Sequence, residues 1–267
     1  MKKYIPAPLL VSLLWLAACK NGDKPVDPDP KPDMPRIMSY SIVATYPHDT
    51  SSFTEGLLFY NGELYEGTGN KGSSKLLKVD LATGKPQKSI PIGDQYFGEG
   101  IVIVRDTIYQ LTYQEKVGFK YTLKDFRKIG EFRFASDEGW GMTYDGTYII
   151  ASDGTKYLYY YEPSSFSLVK KLEITEAGAP AFNINELEFI NGFIYANMWQ
   201  TSYILKIDPA TGKVVAKADL SAVKERVQAK APFIEPGLNG IAYNPATKKI
   251  YITGKLWPEL YEVQFGE

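Results

Sequence analysis

One cysteine and one histidine stand among the 267 residues, helical periodicity is weak almost everywhere, and no run of lysine and arginine is interleaved with aromatics. Each shortage excludes something. A single thiol, Cys19, forms no intrachain disulfide, so core packing has to carry the stability. A catalytic zinc ion needs several His or Cys ligands, which His48 and Cys19 cannot supply; His48 reads as a hydrogen-bonding residue in a loop. A formal net charge of −1 without a basic patch lacks the electrostatic footprint of nucleic-acid binding. What the chain has in quantity is 20 Tyr, 13 Phe, 23 Gly and 17 Pro. Aromatics suit pleated, half-buried surfaces and Gly and Pro supply turns, so the composition predicts β structure.

The first residues read as a targeting segment. Lys2 and Lys3 precede a largely apolar stretch over residues 9–17, and Leu16-Ala17-Ala18-Cys19 resembles a bacterial lipobox. The expectation is a signal peptide over residues 1–18, cleavage before Cys19 and lipid on its thiol. That would export the protein and anchor it to a bacterial membrane, on the periplasmic side or the cell surface, without a membrane span. Residues 19–36 place Pro25, Pro28, Pro30, Pro32 and Pro35 among Asp and Lys. Such a stretch has too little apolar surface to offset its ordering entropy and reads as an extended tether.

Self-similarity dominates residues 37–267. A Gly-hydrophobic opening recurs as FTEGLLFY from Phe53, FGEGIVIV from Phe97, GWGMTYD from Gly139, INELEFI from Ile184 and LNGIAYN from Leu238. Each is followed by a turn and a second strand, then by a third and usually a fourth. Short strands in repeats of roughly 40–50 residues have the period of propeller blades, which predicts an all-β, five-bladed β-propeller. The last repeat stops after three strands, and the β-rich stretch from Met38 to Tyr46 is left over before the first. Its pairing with the last blade would close the ring and remove exposed edges.

In a propeller the inner strands surround one channel, so equivalent positions of distant repeats meet at one mouth. The residue before each glycine-like position is Glu55, Glu99, Trp140, Asn185 or Asn239. The second strand returns towards the same end, and four residues beyond its Tyr65, Tyr109, Ile149, Tyr195 or Tyr251 stand Gly69, Tyr113, Asp153, Trp199 and Lys255. Taken singly, each reads as a solvated channel residue or inter-blade packing. Together, carboxylates, a lysine, asparagines and large aromatics in one concavity make the composition of a binding pocket.

The segments YFGEG from Tyr96, SDGT from Ser152, NELEFING from Asn185, ANMWQT from Ala196, LNGIA from Leu238 and TGKLWP from Thr253 resemble plant-type glutaminyl cyclases. PHD at Pro47 and FTEGL at Phe53 extend the resemblance over almost the whole domain. It implies a five-bladed propeller, and a glutaminyl-peptide cyclotransferase, an acyltransferase that closes N-terminal glutamine of peptides or proteins to pyroglutamate with release of ammonia. It also implies Glu99 as the acid/base carboxylate, Asn185 and Lys255 beside the reacting amide, and Trp140 and Trp199 as walls. Phe53, Glu55 and Tyr113 join the substrate-binding set. The chain departs from the family pattern at Glu55, where Gln is usual, and at Tyr113, where Trp is usual.

The chemistry needs three things: a proton taken from the α-amine, an oxyanion stabilised, and a proton given to the leaving nitrogen. One carboxylate can do the first and last in turn, with Lys255 or Asn185 donating to the carboxamide oxygen. No cofactor is required; a structural calcium on carboxylates and carbonyls stays open. The expected partners are peptides with N-terminal Gln and, through Cys19, a membrane, with the protein a monomer. Two rival readings use the same pocket: a non-catalytic lipoprotein that binds peptide ends or glycans, and a calcium-dependent hydrolase or lactonase.

Overall fold

The computed structural model describes residues 1, 3, 33–235 and 237–266. Apart from residues 1 and 3, the expected signal peptide lies outside them, as do Cys19 and all but the end of the expected tether. The described chain winds into five blades of four antiparallel strands set around a channel, one blade per repeat, with a two-stranded ribbon, Thr175–Glu176 and Ala179–Pro180, beside them. Blade 1 comprises Thr54–Tyr60, Glu63–Thr68, Lys75–Val79 and Pro86–Pro91, and blade 2 comprises Gly98–Val104, Thr107–Thr112, Gly118–Thr122 and Lys128–Phe132. Blade 3 comprises Met142–Tyr144, Ile149–Ala151, Tyr157–Tyr161 and Leu168–Glu173; blade 4 comprises Ile184–Ile190, Phe193–Met198, Tyr203–Ile207 and Val214–Asp219. Blade 5 comprises Leu238–Asn244, Lys249–Gly254 and Glu259–Phe265, and its fourth strand is Tyr40–Pro47 from the start of the domain.

That last pairing is the expected closure. Tyr40 stands opposite Phe265 and Pro47 opposite Glu259, so a strand from one end of the domain completes a sheet from the other. Just before it, Arg36–Ile37 lies parallel to the outer strand of blade 4, which ties the entering chain to a second blade. At the seam, buried His48 bridges three segments. Its Nδ1 is 2.7 Å from the Trp257 carbonyl and its Nε2 3.1 Å from Glu66. Burial alone would lower the His48 pKa, but the charge and hydrogen bond of Glu66 raise it overall.

Apolar side chains fill the spaces between neighbouring sheets. One cluster joins Val102, Tyr109 and Leu111 of blade 2 to Met142, Ile149 and Tyr159 of blade 3, and equivalent clusters occupy the other seams. Each sheet is therefore covered on both faces, which explains why Gly98–Val104 is buried along its whole length instead of alternating. Alternation survives only at the rim, as in Tyr40–Pro47.

The repeated glycine has a packing reason. A Cβ on Gly100 would run into the backbone of Trp140 and Met142, and one on Gly141 into the Asn185 carbonyl. Backbone meets backbone between these inner strands, and only glycine leaves room. Blade 4 has Glu186 at this position. Its carboxylate accepts the amide protons of Leu57 (3.2 Å) and Ile241 (2.8 Å), tying blades 1, 4 and 5 across the channel. Burial pushes the Glu186 carboxyl well above the usual range, and the charge of Glu188 adds to the shift.

One element breaks the all-β pattern. The helix α1, Ser221–Lys230, joins blades 4 and 5, with Val223 and Val227 buried one turn apart.

Candidate active site

In four blades the register between the inner strand and its neighbour slips where the candidate residues stand. The slips fall between Thr54 and Gly56, Gly98 and Ile101, Ile184 and Leu187, and Leu238 and Ile241. Glu55, Glu99, Asn185 and Asn239 occupy these bulges, a backbone device that re-aims a side chain at the end of a pairing. Trp140 precedes the short inner strand of blade 3.

The result is one pocket of about 490 Å3. Glu55, Glu99, Trp140 and Asn185 line it from the first set; Tyr113, Asp153, Trp199 and Lys255 line it from the second, with Phe53 beside them. Two members of the sets stand back from the surface. Buried Asn239 donates through Nδ2 to a Glu55 oxygen at 3.0 Å and to the Thr54 carbonyl at 3.0 Å. Gly69 gives room to the Phe97 ring, which a Cβ there would strike.

Two carboxyls and one ammonium form the polar end. Lys255 Nζ lies 2.7 Å from Glu55 Oε1, and Glu99 lines the same pocket as Glu55. Burial raises the Glu55 pKa to about 7, with Lys255, Asn239 and Glu99 pulling it back from a higher value. Burial also raises Glu99 well above the ordinary carboxylate range, and the Glu55 charge raises it further against the opposing pull of Lys255. The neighbouring groups thus act differently on the two carboxyls: Lys255 and Asn239 favour the ionised form of Glu55, and the Glu55 charge disfavours that of Glu99. Asn185 is buried with its Oδ1 unpartnered among the described residues.

Aromatic rings make the remaining walls. Trp140 and Trp199 meet edge to face with centroids 5.4 Å apart, and Phe97 contacts Phe53 at 6.1 Å and Tyr113 at 5.8 Å. Trp199 is 41% exposed, an apolar ring presented to the cavity. Asp153 is a different kind of member: its oxygens accept from Thr155 and from the Tyr159 hydroxyl at 2.7 Å, so it braces its loop.

Glu138 also lines the pocket, although neither repeat position points to it. Its carboxylate accepts from Trp140 Nε1 at 3.0 Å and from Gln114 Nε2 at 2.7 Å, holding the indole in place. The signal in the sequence is slight: an acidic residue two before a tryptophan. Among the described residues no group of three His, Cys, Asp or Glu side chains is arranged to hold a metal ion.

The sequence profile of a family described as glutamine cyclotransferase matches residues 10–265. A glutaminyl-peptide cyclotransferase of Arabidopsis thaliana is 35% identical over 233 residues, spanning 87% of this chain and 73% of its own length. The crystal structure of the Myxococcus xanthus glutaminyl cyclase superimposes with a TM-score of 0.82 at 38% identity, covering 86% of this chain and 98% of that one.

Proposed function

The chain belongs to the glutamine cyclotransferase family, and from that premise we propose that it cyclises N-terminal glutamine of peptides or proteins to pyroglutamate and releases ammonia, by acid/base chemistry through Glu99. The observation that carries this reading is the meeting of Glu99, Asn185 and Lys255 with the Trp140 and Trp199 rings in one pocket.

The reaction is intramolecular, so the work of the pocket is orientation and proton handling. The indoles hold the glutamine side chain curled, bringing the α-amine to the carboxamide carbon. A free α-amine has a pKa of roughly 8 and is mostly protonated at neutral pH. An ordinary carboxylate is too weak a base to take that proton. Glu99, raised by burial and by Glu55, is a stronger base than an ordinary carboxylate, which lowers the cost of that transfer. As nitrogen attacks, negative charge grows on the carboxamide oxygen, and Lys255 or Asn185 donates to it. Glu99 then gives its proton to the departing nitrogen, which leaves as ammonia, and takes the remaining extra proton from the attacking nitrogen, to be lost to water. This assignment makes the protein an acyltransferase, and no step in it calls on a metal.

Export and lipid anchoring through Cys19 belong to the same reading and rest on the lipobox-like motif. Cys19→Ser should move the protein from the membrane fraction to the soluble one.

Incubating the purified protein with a Gln-initiated peptide tests the activity. The expected product is lighter by one ammonia; a peptide bound but unchanged in mass would point to a recognition module instead.

A further inference from the structure

Once the glutamine side chain and α-amine are inside, the rest of a peptide has to leave through the rim. On the side of blades 1 to 3 that rim is laced together. Lys71 pairs with Glu115 at 2.8 Å, Gln114 with Glu138 at 2.7 Å, and Lys116 with Asp137 at 2.6 Å.

On the side of blades 4 and 5 the pocket runs into a second depression of about 380 Å3, with Phe53, Trp199 and Lys255 as shared walls. This trough continues past Thr201 to Lys224 and Glu235, contributed by α1 and the loop after it. Lys224 is half-buried and enters none of the ion pairs among the described residues. Glu235 is exposed, where water and salt screen its charge.

We propose that this trough receives the peptide chain beyond the N-terminal glutamine, and that Lys224 selects for an acidic side chain at the second or third residue. The inference rests on the reading of the pocket as the glutamine site. It adds a subsite built by the connection between blades 4 and 5, outside the reacting centre.

The test compares kcat/KM for the peptides Gln-Glu-Ala-Ala, Gln-Lys-Ala-Ala, Gln-Ala-Glu-Ala and Gln-Ala-Lys-Ala, with glutaminamide as a substrate too short to reach the trough. The wild-type protein should favour Glu over Lys about three- to fivefold at one of the two positions, the size of a partly screened charge pair. Added salt should shrink that preference. Lys224→Ala should erase it and Lys224→Glu reverse it, with melting curves showing both variants folded. A wild-type protein with no such preference, or one whose preference survives both substitutions unchanged, would overturn the subsite while glutaminamide turnover upholds the pocket. Failure of the wild-type protein to cyclise any of these substrates, glutaminamide included, would bring down both readings.

Discussion

The ammonium of Lys255 lies 2.7 Å from the Glu55 carboxylate and 4.6 Å from the centre of the Phe53 ring. Among the described residues lining the pocket it is the one cation, facing Glu55, Glu99, Glu138 and Asp153. Its charge is therefore largely spoken for by Glu55, and the remaining acidity falls on Glu99. Where the family pattern has a neutral glutamine, this chain has a second ionisable group in the same pocket as the proposed base.

Glu55→Gln should shift the pH dependence. The Glu55 charge raises Glu99, so replacing it with an amide of the same shape lowers the Glu99 pKa. Reaction requires that one proton be lost from the pair formed by Glu99 and the substrate ammonium. The acidic limb of the kcat/KM profile should thus move to lower pH, on the order of one unit, with the gain over the parent confined to the range from about pH 7 upward, where Glu55 carries its charge. An unmoved or alkaline-shifted limb on the same substrate would contradict the coupling.

Glu99→Gln should remove proton transfer in both directions while keeping shape. Ammonia release is expected to fall roughly 100- to 10,000-fold, with the melting temperature unchanged or higher because a buried ionisable group is gone. Retained turnover would move the base elsewhere.

Glu138 is a positioning residue, acting through Trp140. Glu138→Ala should loosen the indole and raise KM roughly tenfold with a smaller change in kcat. Glu138→Gln, which keeps an acceptor for the indole Nε1, should restore most of the loss. Equal effects of the two substitutions would indicate a role for the charge itself.

Gly141→Ala tests the contact between inner strands. A methyl group there overlaps the Asn185 carbonyl, so either the strands of blades 3 and 4 separate or the bulge carrying Asn185 shifts. Destabilisation of about 1–3 kcal/mol, measured by denaturant unfolding, is expected. Activity should fall with it, because Asn185 sits on one of the segments being pushed apart and Trp140 directly precedes Gly141 on the other.

Much of this was legible in the residue order. Five Gly-hydrophobic openings, a spare leading strand and a missing last one dictate a closed wheel, because each blade is a local strand-turn-strand unit whose signals lie within a few residues. The same register names Glu55, Glu99, Trp140 and Asn185, and four residues past each second-strand landmark it names Tyr113, Asp153, Trp199 and Lys255. All of these line the pocket. Asn239 and Gly69 carry the same positions but serve from behind, one holding Glu55 and the other making room for Phe97, a difference of side-chain packing that no period encodes.

Only the tertiary structure decided who pairs with whom. Lys255 reaches Glu55 across 200 residues of chain and Leu57 reaches Glu186 across 129; such partners are set by where blades meet around the axis, not by neighbours in sequence. α1, whose polar residues mask its two buried valines, became readable only once there was a seam between blades 4 and 5 for it to cover. The proton balance of Glu55 and Glu99 has the same origin: two ordinary glutamates acquire unusual acidity because folding takes them out of water and sets them side by side.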